Sequence, residues 1–144
     1  METSLQNIVT SILKMLSHLG WSYVSIVHSS DAGSDHERGF QLLQSSAARH
    51  GVCIAATLDV SRGEDLDDDA VAKLVGARAE GARGVVVWAD EEGSRRLFRA
   101  VARAVAQVTL RREDLFWFLA SPLGDAGDVL DEFGNVVGGA LVFG

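Results

Sequence analysis

The chain has 144 residues, of which 47% are hydrophobic and 23% charged, with one proline and a net charge of −7. That is enough for one domain with a real core; it excludes a Pro-rich linker, and the acidic balance argues against nucleic acid as the main partner, because phosphate binding needs a basic face. No apolar run reaches the roughly 18 residues of a membrane span, residues 1–20 carry no basic leader with an apolar block, and the single cysteine, Cys53, excludes an internal disulfide or a zinc site of paired cysteines.

Taken in chain order, residues 4–19 place Ile8, Ile12, Leu13, Leu16 and Leu19 at helical spacing, one apolar stripe on an amphipathic helix that Gly20 stops. Residues 23–27 read as a short buried strand, which opens into the small polar loop Ser29-Ser30-Asp31-Ala32-Gly33-Ser34-Asp35. A second helix spans 36–50, with Phe40, Leu43 and Ala47 inward, and a second strand spans 52–60. After a turn at 61–63, acids from Glu64 to Asp69 open a third helix, where the positive end of the helix dipole favours them; it runs to about Glu80 and Gly81 caps it.

Residues 84–89 form a continuous apolar strand of the kind covered on both faces. The stretch Asp90-Glu91-Glu92-Gly93-Ser94 reads as the loop after it. Residues 95–108 form a helix with Leu97, Val101 and Val105 inside; Arg95, Arg96, Arg99 and Arg103 lie on its solvated face, and Arg111 and Arg112 follow its end. Residues 115–120 are a fourth strand. A Gly/Asp-rich loop and a short helical stretch lead to about Phe133, and the last strand spans 137–143. This alternation predicts an α/β domain: an open, mostly parallel sheet with helices on both faces, of flavodoxin or Rossmann type. In such a sheet, ligands sit at the carboxyl ends of the strands.

The motifs of catalysis are absent. There is no Gly-x-Gly-x-x-Gly after the first strand, no phosphate loop with its lysine and no Gly-x-Ser-x-Gly elbow. His36-Glu37 lacks the second histidine of a zinc helix, and histidines 18, 28, 36 and 50 have no metal-ligand spacing. Asp125, Asp128, Asp131 and Glu132 do not match a calcium loop and read as a solvated helix face. A phosphate-receiver domain wants a lysine at the end of the last strand, and the chain's lysines are Lys14 and Lys73. Cys53 sits in an apolar strand without a cationic neighbour, which suits a buried, inert thiol. The expectation is a protein without catalysis, cofactor or metal.

The stretch Leu19-Gly20-Trp21-Ser22-Tyr23-Val24-Ser25 resembles the Asn-Trp-Thr-Tyr-Val-Ser stretch of metabotropic glutamate receptors, class C G-protein-coupled receptors with a Venus-flytrap ectodomain. The resemblance continues colinearly through Gly39-Phe40, Val52-Cys53-Ile54-Ala55, Ala82-Arg83-Gly84-Val85-Val86-Val87, Phe116-Trp117-Phe118-Leu119-Ala120-Ser121 and Gly138-Gly139-Ala140-Leu141. It implies that residues 1–144 are a single domain, the second, membrane-proximal lobe of a two-lobe clamp of periplasmic-binding-protein type I fold. The lobe would lie outside the plasma membrane and signal by closure and rearrangement of a receptor homo- or heterodimer.

The cleft wall would then be residues 29–34, 89–93 and 121–127, with Ser29, Ser30, Asp31, Gly33, Asp90, Glu91, Ser121 and Asp125 as candidate ligand contacts. The resemblance also implies that Cys53 bonds to a cysteine-rich module outside the 144 residues. Two departures imply a changed ligand. The loop Asp31-Ala32-Gly33-Ser34 lacks the family's ligand-stacking tyrosine, and Ser121-Pro122-Leu123-Gly124 stands where the family has Ser-Asp-Gly-Trp, whose aspartate takes the ligand's ammonium group. Asp31, Asp90, Glu91 and Asp125 are nearby acids for that task. Two other readings of the fold remain open: a lobe of a bacterial periplasmic amino-acid-binding protein, and a small cytosolic flavodoxin-like enzyme or regulatory domain.

Overall fold

A computed structural model describes residues 2–29, 34–60, 68–121 and 126–143. The elements are α1 (Glu2–Leu19), β1 (Tyr23–His28), α2 (Asp35–Ser46), β2 (Cys53–Asp59), α3 (Asp68–Ala79), β3 (Gly84–Trp88), α4 (Glu91–Ala106), β4 (Phe116–Ala120), α5 (Ala126–Glu132) and β5 (Gly139–Phe143). The strands form one five-stranded sheet in the order β2-β1-β3-β4-β5, every pair parallel. The expected α/β architecture is therefore present, with the sheet parallel throughout.

Strand alternation sends side chains to two cores. Val24 and Ile26 of β1, Val86 and Trp88 of β3, and Phe118 and Ala120 of β4 pack under α1 and α2. Val27, Val85, Val87, Trp117 and Leu119 pack on the other face, under α3, α4 and α5. β3 lies between β1 and β4 with all five residues buried, as its unbroken apolar run predicts. Ile8, Ile12, Leu13 and Leu16 of α1 are buried as expected, whereas Leu19 is 40% exposed. α1 ends there, and the chain turns at Gly20, whose φ of 73° suits glycine.

Several boundaries differ from the sequence reading. The second helix is α2 followed by a 3-10 turn over Ala47–His50, closed by Gly51 at φ 70°. β2 starts and ends one residue inside the expected 52–60, and β5 starts at Gly139, two residues after the expected 137; both are edge strands, with neighbours on one side only. The acids from Glu64 to Asp67 lie outside the described residues, and α3 is assigned from Asp68.

One contact sets how closely α2 approaches the sheet. A Cβ on Gly39 would lie 2.1–2.5 Å from the fully buried ring of Trp88. Only a residue without a side chain lets that ring lie against the helix backbone. Gly39→Ala is expected to lower stability by at least about 2 kcal/mol through overpacking, read as a shift in the urea midpoint; an unchanged midpoint would show that α2 and Trp88 yield without cost.

Candidate functional site

In the strand order β2-β1-β3, consecutive crossings leave β1 in opposite directions. That places a topological switch point between the carboxyl ends of β1 and β3, where open α/β sheets bind ligands. Ser29 follows β1 and Asp90 follows β3, and the structure brings these two predicted residues together. The Ser29 amide donates to the Trp88 carbonyl at 2.9 Å. The Asp90 amide points to the Ser29 hydroxyl at 3.4 Å. Ser29 is buried and Asp90 half-buried.

The stretch 90–94, expected as a loop, is instead the start of α4. Asp90 is its N-cap, its Oδ1 accepting from the Gly93 amide at 2.7 Å, and Glu91 and Glu92 occupy the first turn. The physical reason is the electrostatics of a helix start: an aspartate satisfies an orphan amide and acids suit the positive end. Gly93 is there for space, since a Cβ would meet Asp90, Val60 and Ser29 at 2.9–3.1 Å.

Glu91 is half-buried on that first turn and pairs with Arg95 at 2.6 Å. Arg95 also reaches across to Glu132 of α5 at 2.9 Å. Hydrogen bonds to Glu132 and then Glu91 hold the Arg95 guanidinium above its ordinary value, so it stays charged throughout the neutral range. Both predicted acids at this corner therefore have structural work: Asp90 begins α4 and Glu91 clamps Arg95.

Arg96 departs from the solvated face expected of it. It is 6% exposed, its Nη2 donates to the Val60 carbonyl just beyond β2, and its Nη1 lies 3.6 Å from Glu92. Helix α4 begins four residues earlier than expected and lies against β2's carboxyl end. On it Arg96 shares the inward side with Gly93, Leu97, Ala100 and Ala104. The helix phase set by Leu97 and Val101 already puts Arg96 beside Ala100 and Ala104 on the buried side; its charge, not its position, suggested a solvated face.

Of the remaining candidates, Ser121 follows β4, on the far side of β3 from Ser29, buried, its amide donating to the Phe143 carbonyl at 2.7 Å. Ser30, Asp31, Gly33 and Asp125 lie outside the described residues. On the α2 side of the switch point, His28 stacks on Phe40 with ring centroids 3.9 Å apart, and its Nδ1 lies 3.7 Å from Glu37. Ser34 caps α2 by accepting from the Glu37 amide at 3.1 Å. The β1–α2 segment is thus held at both described ends, a feature that the loop's composition did not announce.

Cys53 is exposed at the start of β2, on the opposite, amino edge of the sheet. Of the two readings of Cys53, a buried inert thiol and a thiol linked outside the 144 residues, exposure does not fit the first: β2 is an edge strand, and its apolar composition does not guarantee burial. No group of three His, Cys, Asp or Glu side chains suited to a metal ion occurs among the described residues.

The profile of the family described as "Receptor family ligand binding region" matches residues 3–142, nearly the whole chain. The chain belongs to this family. It is also 29% identical over 133 residues to the "Metabotropic glutamate receptor" of Drosophila melanogaster, an alignment covering 91% of this chain and 13% of the fly protein. The fold and both similarities agree on a Venus-flytrap-like domain of the class C receptor kind. The chain thus spans about an eighth of the length of this relative.

Asp90→Ala removes the cap of α4 and should cost about 1 kcal/mol of stability, measured by urea denaturation, with Asp90→Asn retaining most of it. Equal loss in both variants would mean that the carboxylate charge, and not the capping oxygen, starts the helix.

Proposed function

We propose that this chain is the second, membrane-proximal lobe of a class C receptor ectodomain on the outer side of the plasma membrane, a binding and signalling module with no catalytic step. The observation that carries this reading is the carboxyl edge of the sheet. Ser29 and Asp90 meet there at the switch point. α1 begins and β5 finishes on the same edge, because α1 runs opposite to the strand it precedes. Closure on a ligand would be a population shift, driven by contacts that only the closed form makes.

The ligand differs from glutamate held in the family's manner. Proline at 122 cannot pair with an ammonium group, and Asp90 and Glu91 are already engaged in α4. Leaving a buried charge unpaired costs about 3–5 kcal/mol, which is roughly two to three and a half orders of magnitude in affinity. Replacing the matching segment of the fly receptor with this chain is therefore expected to weaken the glutamate response by at least about a hundredfold, and Pro122→Asp to recover part of it. A chimera responding within tenfold of the fly receptor would overturn the proposed loss of the amine site.

Exposure of Cys53 on the amino edge supports its proposed bond to a module on the side away from the cleft, the cysteine-rich module expected from the resemblance. In the folded 144-residue chain its thiol should react with a maleimide without denaturant. Labelling that needs unfolding would rule out that linkage.

A further inference from the structure

We propose that the amino edge of the sheet carries a second binding site, separate from the cleft edge, for a carboxylate borne next to an apolar group. The site is a depression of about 360 Å³ whose lining includes Trp21, Arg78, Arg83, Glu113, Phe116 and Gly139. That volume falls at the small end of ligand pockets and suits something the size of an amino-acid side chain or a small aromatic acid.

Its two cations are what single it out. Arg78, from the last turn of α3, donates its Nε to the Asp114 carbonyl at 2.8 Å. That bond fixes the plane of the guanidinium while leaving its charge without a carboxylate partner. Among the described residues no carboxylate lies within ion-pair distance of Arg78 or of the exposed Arg83. The nearby Asp114 carboxylate is turned into its own loop, where it accepts from the Arg111 amide at 3.0 Å. Planar guanidinium groups bind carboxylates in a bidentate fork, and Arg is the residue that does so best.

The rest of the pocket supplies apolar surface on a rigid frame. Trp21 is half-buried, with Phe116 and Phe118 meeting it edge-on at 5.8 and 6.1 Å between centroids. The wall beside it is built from glycine backbone pressed close: a Cβ on Gly139 would lie 2.8 Å from the Phe116 ring, and one on Gly138 would lie 2.2 Å from the Arg112 carbonyl oxygen. An aromatic floor with two cations beside it, in a protein of net charge −7, selects an acid that carries an apolar group. Glu113 stands exposed on the rim and opposes this attraction, which gives the site an internal control.

The test follows the indole N–H signal of Trp21 in the ¹⁵N spectrum of the 144-residue chain. Two acids are titrated, 3-phenylpropionate as a free ligand and the capped dipeptide acetyl-Phe-Asp-amide as a protein-like one, with 3-phenylpropanamide as the neutral counterpart. At least one acid should shift the Trp21 signal at millimolar concentration and bind about tenfold tighter than the amide; which acid binds more tightly tells whether a free acid or a polypeptide side chain is the better occupant. Arg83→Gln should weaken binding about tenfold with an unchanged urea midpoint, and Glu113→Gln should strengthen it. The proposal fails if neither acid moves the signal, if the amide binds as well as the acids, or if Arg83→Gln binds as the parent does.

Discussion

The structure closes around β3. Its five residues are buried on both faces, so every other layer must come to it: β1 and β4 pair with it, α2 settles on Trp88 through Gly39, and α4 covers Val85 and Val87 through Leu97, Phe98 and Val101. A strand buried on both faces requires helices on both faces, and parallel strands require crossings long enough to hold those helices. The crossings in turn put the segments that follow β1, β3 and β4 on one edge. The meeting of Ser29 with Asp90 is a consequence of that geometry, since β1 and β3 are neighbours whose outgoing connections part in opposite directions.

Most of this was legible in the sequence because period and run length are local. The stripe Ile8, Ile12, Leu13, Leu16 identified α1, and the run Gly84 to Trp88 identified a strand covered on both faces. What was misread depends on long-range facts or on weighing one local signal against another. Residues 52–60 alone leave Cys53 open between burial and an external linkage, because nothing in them announces that β2 lies at the sheet's edge; strand order decides exposure. The stretch 90–94 carries acids, glycine and serine, the ordinary vocabulary of a loop. It carries equally the signature of a helix start, with Asp90 three residues before the amide it caps and two acids in the first turn. Arg96 was misplaced for a separate reason: the phase set by Leu97 and Val101 puts it beside Ala100 and Ala104 on the buried side, and its charge was given more weight than that position. Ser29, Asp90 and Ser121 were assigned to the carboxyl edge by their position after strands, whereas the engagement of Asp90 and Glu91 within α4 is a matter of side-chain geometry that spacing does not reveal.

The two edges of the sheet differ in how their charges are arranged, and that difference follows from where helices begin and end. At the carboxyl edge, α2 and α4 present their amino ends, and acids gather there because the dipole favours them: Asp35 and Glu37 on α2, Glu91 and Glu92 on α4, with Asp90 capping. At the amino edge the helices finish, and cations are favoured: Arg78 lies in the last turn of α3 and Arg103 in that of α4. The same electrostatics that stabilise the helices thus bias one edge toward acids and the other toward arginines. On the carboxyl edge, Asp90 and Glu91 are engaged within α4, whereas Glu92 stays exposed beside Arg96.

That distribution bears on how a domain of this fold could respond to what it binds. β1 is six residues long and joins Trp21 on one edge to Ser29 on the other, with both of its neighbours in register along its length apart from one shift between Val24 and Ser25. A strand hydrogen-bonded on both sides and packed on both faces transmits displacement as a unit and does not absorb it. If an acid occupies the Trp21 pocket, its effect on the cleft edge is set by whether it tilts the lobe as a rigid body against its neighbours. The interior leaves little room for the alternative, since Trp88, Trp117, Phe98 and Phe118 fill both faces of the sheet and are almost completely buried. Coupling between the two edges would therefore have to pass through the orientation of the whole domain, the motion that the proposed hinged lobe would make.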